Sequence, residues 1–338
     1  MTVCYSKSGR NLFKSPSIRK TGDNMLANRL ITLMRTTGTL PILLLALFAA
    51  SPGLAAENAE LQRHTVMADG HPVALWEKSA AGASEAILLV HGRTWSALPD
   101  FDLQVEGEEL SLMDGLVAAG YAVFAVDLRG YGETPRDATQ WLTPNRAADD
   151  VAIVIDWIAG SNDWPLKPHL FGWSRGSTIS QLMVQRHPDR VASLTLFGYW
   201  RDDDVDFPPD EPGIEPAKAR NTAEAAASDF ITPGSISQRA IDAYVTHALQ
   251  ADPVMVDLRN DDQYNVLDGS RINVPTLVIA GEYDPLAPAE YQARLFTRLA
   301  TGHKQWVTVP GADHAAFLES PRAYFIHELV GFLQGVSL

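Results

Sequence analysis

Cysteine is almost absent from this chain of 338 residues, in which Cys4 is the only one. If the segment that carries Cys4 is removed, the rest of the chain forms no disulfide. It also has no thiolate nucleophile and no cysteine ligand for a metal. The protein must therefore fold and act without cysteine chemistry.

Long apolar runs are also missing, and none reaches the roughly 20 residues that a membrane-spanning helix needs. The longest candidate, Leu40 to Ala50, follows Arg29 and Arg35 and ends in small residues. This order is typical of a secretory signal peptide, with cleavage expected after Ala55 or Ala56. No stable membrane anchor would then remain.

We interpret residues 1–56 as a leader, and Met25 as an alternative start that would give a signal peptide of normal length. No Arg-Arg pair precedes the apolar run, which favours the general secretory route. The expected location is periplasmic or extracellular.

Positive charge is scarce, with 27 Lys and Arg residues against 41 Asp and Glu residues and a formal charge of −14. Seven of the cations and one of the acids lie in residues 1–56, so 20 cations face 40 acids beyond them, a charge near −20. Such a chain is a poor partner for nucleic acid. Neutral small molecules fit it better as substrates, and the oligomeric state is left open.

Apolar runs of strand length alternate with helical patterns from residue 57 onward, which predicts an α/β fold with a mostly parallel sheet flanked by helices. Strands are expected at 86–90, 121–128, 167–173, 191–199, 274–281 and 305–309, after an opening hairpin at 64–78. Helices are expected at 111–119, 145–159, 175–187, 289–299 and 322–334.

The alternation breaks at residues 201–272, which open with a Pro-rich acidic stretch and continue Ala-rich. We interpret them as a helical cap inserted between core segments 57–200 and 273–338. A solvated loop with surface helices is the alternative.

One junction combines a strand, a serine and a helix at Gly172-Trp173-Ser174-Arg175-Gly176. The pattern G-x-S-x-G is short, and it gains meaning from standing between a strand and a helix. A serine hydroxyl needs a base and an orienting carboxylate to become a nucleophile. Both are therefore expected on later loops of the chain.

Five segments together resemble the α/β-hydrolase fold family, in its capped branch of esterase and lipase-like enzymes: 91–93, 127–132, 172–176, 281–284 and 311–314. The resemblance spans about residues 64–336. The family's order of nucleophile, acid and base is met by Ser174, Asp284 and His314. Adjacent acids Asp202, Asp203 and Asp204 are alternative candidates for the carboxylate.

The resemblance also implies an oxyanion hole formed by the backbone N–H groups of Arg93 and Arg175. Aromatic side chains near the predicted pocket mouth are candidates for its lining, with packing in the core or cap as their alternative role: Trp95, Trp173, Tyr199 and Trp200. Neither a metal nor another cofactor is implied, since no H-E-x-x-H spacing or phosphate loop occurs.

These residues predict a serine hydrolase that cleaves small to medium neutral carboxylic esters through an acyl-enzyme. The same triad could instead cleave an amide or peptide, a lactone or a C–C bond. A non-catalytic member of the fold that binds a ligand is the alternative from another class.

Overall fold

The computed structural model describes residues 59–337. The leader, Met25 and the cleavage site expected after Ala55 or Ala56 lie outside this range. Within it, no helix is long and apolar enough to cross a membrane.

A single eight-stranded sheet forms the centre, in the spatial order β1-β2-β4-β3-β5-β6-β7-β8. Strands β3 to β8 pair in parallel, while β2 is antiparallel to both β1 and β4. The strands are β1 Gln62–Ala68, β2 His71–Ser79, β3 Ala86–Val90, β4 Ala122–Val126, β5 His169–Trp173, β6 Leu194–Phe197, β7 Thr276–Gly281 and β8 Lys304–Val309.

Helices cover both faces of the sheet, as a parallel sheet requires. They are α1 Ala97–Phe101, α2 Leu112–Ala118, α3 Pro144–Ser161, α4 Arg175–Arg186, α5 Ala223–Ala227, α6 Gln238–Ala251, α7 Ala289–Arg298 and α8 Arg322–Val336. Helix α3 starts with a proline at its first position and is capped by the Thr143 hydroxyl, which accepts a hydrogen bond from the N–H of Arg146.

Strand β3 is apolar throughout because both of its faces are buried. Leu88 and Val90 enter the core on the side of α3 and α4, and Ile87 and Leu89 enter the core on the side of α2 and α8. Each apolar side chain of this strand therefore helps to hold one helical layer on the sheet.

The predicted fold class is confirmed, and each predicted strand and helix is present with ends that shift by a few residues. The opening hairpin turns at Asp69 and Gly70, whose φ angles of 50° and 77° suit a two-residue turn. The sequence reading missed α1, because five residues are too few to show a helical period.

Residues 201–272 contribute α5, α6 and two 3₁₀ turns, Asp261–Val266 and Gly269–Arg271. The Asp252 carboxylate, at the end of α6, accepts hydrogen bonds from the N–H groups of Ser96 and Gly132, both at 2.8 Å. The insertion is thus fastened to loops of the core. Its status as a separate cap stays a prediction.

A buried ion pair joins the loop after β4 to α3. The Arg129 guanidinium donates to both carboxylate oxygens of Asp150, at 2.6 and 2.7 Å, and also to the carbonyl oxygen of Ala68. Both charged side chains are almost fully buried. The pair therefore connects three parts of the fold.

We predict that Asp150→Ala lowers the free energy of unfolding by about 3 kcal/mol, because the buried Arg129 charge loses its two shortest contacts and keeps a longer ion pair with Asp137, at 3.3 Å. The neighbouring Asp149 pairs with Arg186 at the surface, so Asp149→Ala should change stability by about 0.5 kcal/mol or less. Urea unfolding of both variants measures the difference, and equal effects would contradict the prediction.

Candidate active site

Ser174 lies between the end of β5 and the start of α4 in a strained backbone conformation. Its φ is 53° and its ψ is −121°, a region that residues other than glycine rarely adopt. Its N–H donates to the carbonyl oxygen of Phe197 on β6 at 2.9 Å. The turn therefore holds the serine above the carboxyl end of the sheet, with its side chain partly exposed.

The glycines on either side of Ser174 are required by close approach. A Cβ atom on Gly172 would collide with the carbonyl oxygen of Gly176, and one on Gly176 would collide with the carbonyl oxygens of Val90 and His91. Helix α4 thus begins in direct contact with the strands beside it.

His314 and Asp284 form a hydrogen-bonded pair, with 2.8 Å between Nδ1 and Oδ2. The other oxygen of Asp284 accepts from the N–H groups of Leu286 and Ala287. Both side chains are buried. The aspartate is therefore fixed at one end by backbone and orients the imidazole at the other.

The His314 loop is positioned by neighbouring strands. The indole N–H of Trp173 donates to the His314 carbonyl oxygen at 2.7 Å. Gly198, at φ 61°, leaves room for the imidazole, because a Cβ atom there would lie 2.8 Å from its Cε1. The ring is thus enclosed by residues that follow β5 and β6.

No hydrogen bond joins Ser174 Oγ to His314 within residues 59–337, but both side chains line one cavity of about 390 Å³. Such contacts are often long before a substrate binds. The structure therefore brings the predicted nucleophile, acid and base to one site.

The three alternative acids are engaged elsewhere. Asp202 pairs with Arg294, Asp203 with Arg201 and Asp204 with Arg298. Asp203 also accepts a hydrogen bond from the Tyr199 hydroxyl at 2.7 Å. Of the four carboxylates considered, Asp284 is the one that contacts the histidine.

His91 is a second histidine close to Ser174, but both nitrogens of its ring already form hydrogen bonds. Its Nε2 accepts the N–H of Leu128 at 3.1 Å, so Nδ1 carries the proton and donates to the Gly92 carbonyl oxygen. Burial lowers the pKa of His91 to about 4. His91 is therefore neutral, and it fixes the loop that precedes Arg93.

Two backbone N–H groups are available beside Ser174. The N–H of Arg93 donates no hydrogen bond to any residue of the range 59–337. Arg175 is the first residue of α4, where an N–H has no partner inside the helix. Both residues line the cavity, as an oxyanion hole requires.

The side chains of these two arginines differ. The Arg175 guanidinium is buried, pairs with Asp261 and lies 5.4 Å from the centre of the Tyr264 ring. Arg93 is exposed, and in the described part of the chain it forms no ion pair.

Of the four aromatic candidates, Trp173 and Trp200 line the cavity. Trp95 and Tyr199 do not. The Trp95 ring packs edge-on against Tyr244, and the Tyr199 hydroxyl is bound by Asp203. Both belong to the packed interior instead, which is the alternative role considered for them.

Sequence reasoning missed four lining residues: Thr94, Asp229, Asp261 and Leu286. No local motif marks them. Two of them come from the insertion, whose path over the core depends on tertiary contacts.

A larger cavity of about 760 Å³ lies between His64, Trp157 and the start of β4 at Ala122. It is at the amino end of that strand, opposite to Ser174. Its lining contains His64, Glu77 and Ser79, but the imidazole and the hydroxyl both bind the Glu77 carboxylate and not each other. The smaller cavity, which adjoins the turn at Ser174 and the pair of His314 and Asp284, is therefore the candidate active site.

Several known proteins are similar to this chain in sequence. Pimeloyl-[acyl-carrier protein] methyl ester esterase of Neisseria meningitidis serogroup B is 27% identical over 270 residues, which cover 73% of this chain and 92% of that protein. The enzyme of the same name from Aeromonas salmonicida is 25% identical over 245 residues, covering 65% and 87%.

Solved structures share the fold. The carbazole-degradation serine hydrolase CarC superposes with a TM-score of 0.59 at 18% identity, covering 81% of this chain and 99% of that one. A thermophilic esterase from Thermogutta terrifontis gives 0.56 at 22% identity, covering 81% and 99%.

The sheet order, the strand-serine-helix turn and these relatives define an enzyme of the α/β-hydrolase fold. The model of the family described as "Serine aminopeptidase, S33" matches residues 83–321. The chain belongs to this family.

The buried, neutral His91 makes stability depend on pH. Its pKa of about 4 in the folded state lies below the ordinary value of 6.5, so the unfolded chain binds the proton more readily. His91 therefore opposes folding increasingly as the pH falls from 6.5 towards 4, by up to about 3 kcal/mol.

We predict that His91→Gln, whose amide oxygen can still accept the Leu128 N–H, removes this contribution. Urea unfolding between pH 7 and pH 4.5 should give a smaller loss of stability on acidification than in the wild type. Parallel profiles for the two proteins would refute this account of His91.

Proposed function

We propose that the protein is a serine esterase that hydrolyses small to medium neutral carboxylic esters through an acyl-enzyme on Ser174. The observation that carries the proposal is the 2.8 Å contact between His314 and Asp284 on the wall of the cavity that also contains Ser174. A serine beside an oriented imidazole is the arrangement that acyl transfer requires.

In the first step, His314 Nε2 takes the Ser174 proton while Oγ attacks the ester carbonyl carbon. The Arg93 and Arg175 N–H groups stabilise the negative oxygen of the tetrahedral intermediate. His314 then gives its proton to the leaving alcohol, and the acyl group stays on Oγ. Asp284 keeps Nδ1 protonated and stabilises the imidazolium.

In the second step, water replaces the alcohol. His314 takes a proton from the water, whose oxygen attacks the acyl carbon. Collapse of the second intermediate releases the carboxylic acid and returns the proton to Ser174. The cycle consumes one water for each ester bond.

Three observations support an ester as the substrate. The relatives from Neisseria and Aeromonas bear the name of a methyl ester esterase. The cavity of about 390 Å³ suits a small to medium acyl group. The charge near −20 beyond residue 56 favours neutral substrates.

Amide hydrolysis by the same residues is the second candidate, because the matching family is described as a serine aminopeptidase. Amides are distinguished from esters by a panel of p-nitrophenyl esters of increasing chain length beside aminoacyl p-nitroanilides.

We further propose export to the periplasm or the extracellular space, which N-terminal sequencing of the secreted protein tests.

We expect Ser174→Ala to lower kcat/KM for p-nitrophenyl butyrate by about 10³-fold or more, because the acyl-enzyme cannot form. Ser174→Ala should also lose the mass increase that a fluorophosphonate causes in the wild type. Ser180→Ala is the matched control on α4, since its buried hydroxyl has no hydrogen-bond partner among residues 59–337. Full esterase activity in Ser174→Ala would eliminate the mechanism.

We expect Asp284→Asn to lower kcat by about 10³- to 10⁴-fold, because the amide stabilises the wrong tautomer of His314. Asp202→Asn tests the alternative acid at the surface and should retain activity within about threefold. Steady-state kinetics on the same ester compare the two. A larger loss in Asp202→Asn than in Asp284→Asn would reassign the acid.

A further inference from the structure

A carboxyl group of the insertion faces the cavity above Ser174. Asp229 follows α5 by two residues and lines this cavity together with His314. Between residues 59 and 337, no Lys, Arg or His forms a salt bridge with it. The proposed mechanism gives this acid no role.

Asp229 is held by a buried phenol. The hydroxyl oxygen of Tyr244, on α6, lies 3.2 Å from Asp229 Oδ2 and 2.9 Å from Oδ1 of Asp100. The Tyr244 ring is enclosed edge-on by Trp95 and Phe230, with centroids at 6.5 and 5.0 Å. The phenol therefore has little freedom to move, and it fixes Asp229.

The Tyr244 hydroxyl is the donor that Asp100 and Asp229 share. A phenol has one proton, so it donates to one of the two carboxyl groups at a time. Asp100 is fully buried, and burial raises its pKa well above the ordinary value. Asp229, by contrast, lines the cavity and can exchange this donor for one on a bound molecule.

Besides Tyr244, the indole N–H of Trp95 is a polar neighbour of Asp229, and it lowers the pKa of this carboxyl group. Neither neighbour carries a positive charge, so the carboxylate has capacity for a donor that enters from the cavity. A hydrogen-bond donor stabilises a carboxylate oxygen beside a partly enclosed cavity, and an oxygen that is left without one there costs free energy. An anionic group in the same place would be repelled.

We propose that Asp229 is a specificity-determining residue that accepts a hydrogen bond from a hydroxyl or ammonium group on the acyl part of the substrate. This inference rests on the proposed esterase function and deepens it. Substrates with such a donor a few bonds from the ester carbonyl are selected over unsubstituted acyl chains, and acyl chains that end in a carboxylate are disfavoured.

The test compares four methyl esters of equal chain length: hexanoate, 6-hydroxyhexanoate, 6-aminohexanoate and the monomethyl ester of adipate. A pH-stat records kcat/KM for each at pH 7.5. A hydrogen bond to a charged group is worth about 10- to 100-fold, so the hydroxyl and amino esters should exceed hexanoate by that factor. The adipate ester should fall below hexanoate.

Two substitutions separate charge from hydrogen bonding. Asp229→Leu should bring the hydroxyl and amino ratios to about one, while Asp229→Asn should abolish the preference for the ammonium and retain part of that for the hydroxyl. Glu224→Gln, at an exposed position of α5, is the control and should keep the wild-type ratios.

The wild-type protein offers a readout that does not depend on the folding of a variant. Burial raises the pKa of Asp229 to about 6, in an environment that includes Tyr244, Trp95, His314 and Asp313. The ratio of amino ester to hexanoate should therefore fall as the pH decreases through 6. Both substrates use the same His314, so its titration cancels in the ratio.

The outcomes separate a failure of the role of Asp229 from a failure of the esterase function. Turnover of all four esters without preference, or unchanged ratios in Asp229→Leu, would overturn the role of Asp229 alone. No turnover of any methyl ester by the wild type would overturn the esterase function, and this inference with it.

Discussion

Close contact between the start of α4 and the neighbouring strands is the constraint on which the candidate active site depends. Gly172 and Gly176 have no space for a side chain, so the chain turns sharply and holds Ser174 at φ 53°. The same turn starts the helix, whose first N–H has no partner inside the helix, at a residue that lines the cavity. One steric requirement thus places a partly exposed hydroxyl and a free backbone donor beside each other, at the cost of local backbone strain.

The parallel sheet then brings distant segments to that turn. The loop after β3 contributes the Arg93 N–H, the loop after β7 contributes Asp284, and the loop after β8 contributes His314. The carboxyl ends of parallel strands meet at one edge, so residues far apart in sequence become neighbours without a specific interaction for each pair. Gly198, after β6, completes the arrangement by leaving space for the imidazole.

The parts that could be predicted from the sequence are those that local patterns encode. Continuous apolar runs predict buried strands, and a serine between a strand and a helix predicts the turn at Ser174. Asp229 and Asp261 could not be found in this way, because their place in the cavity depends on how the insertion crosses the core. The same limit explains Trp95 and Tyr199: their aromatic character was visible, but whether each ring faces the cavity or the interior is decided by its packing partners.

The insertion and the loop that carries His314 are also connected directly. The Asp313 carboxylate, beside His314, accepts the N–H of Thr232, three residues after Asp229. Glu319 accepts the N–H of Asp313, and burial together with the negative charge of Asp313 raises the pKa of Glu319 to about 7. The segment that carries the proposed selectivity group is therefore hydrogen-bonded to the loop that carries His314, the proposed base. A shift of the insertion that moved Asp229 would act on the His314 loop as well, so the geometry of the chemistry and the choice of substrate depend on the same contacts.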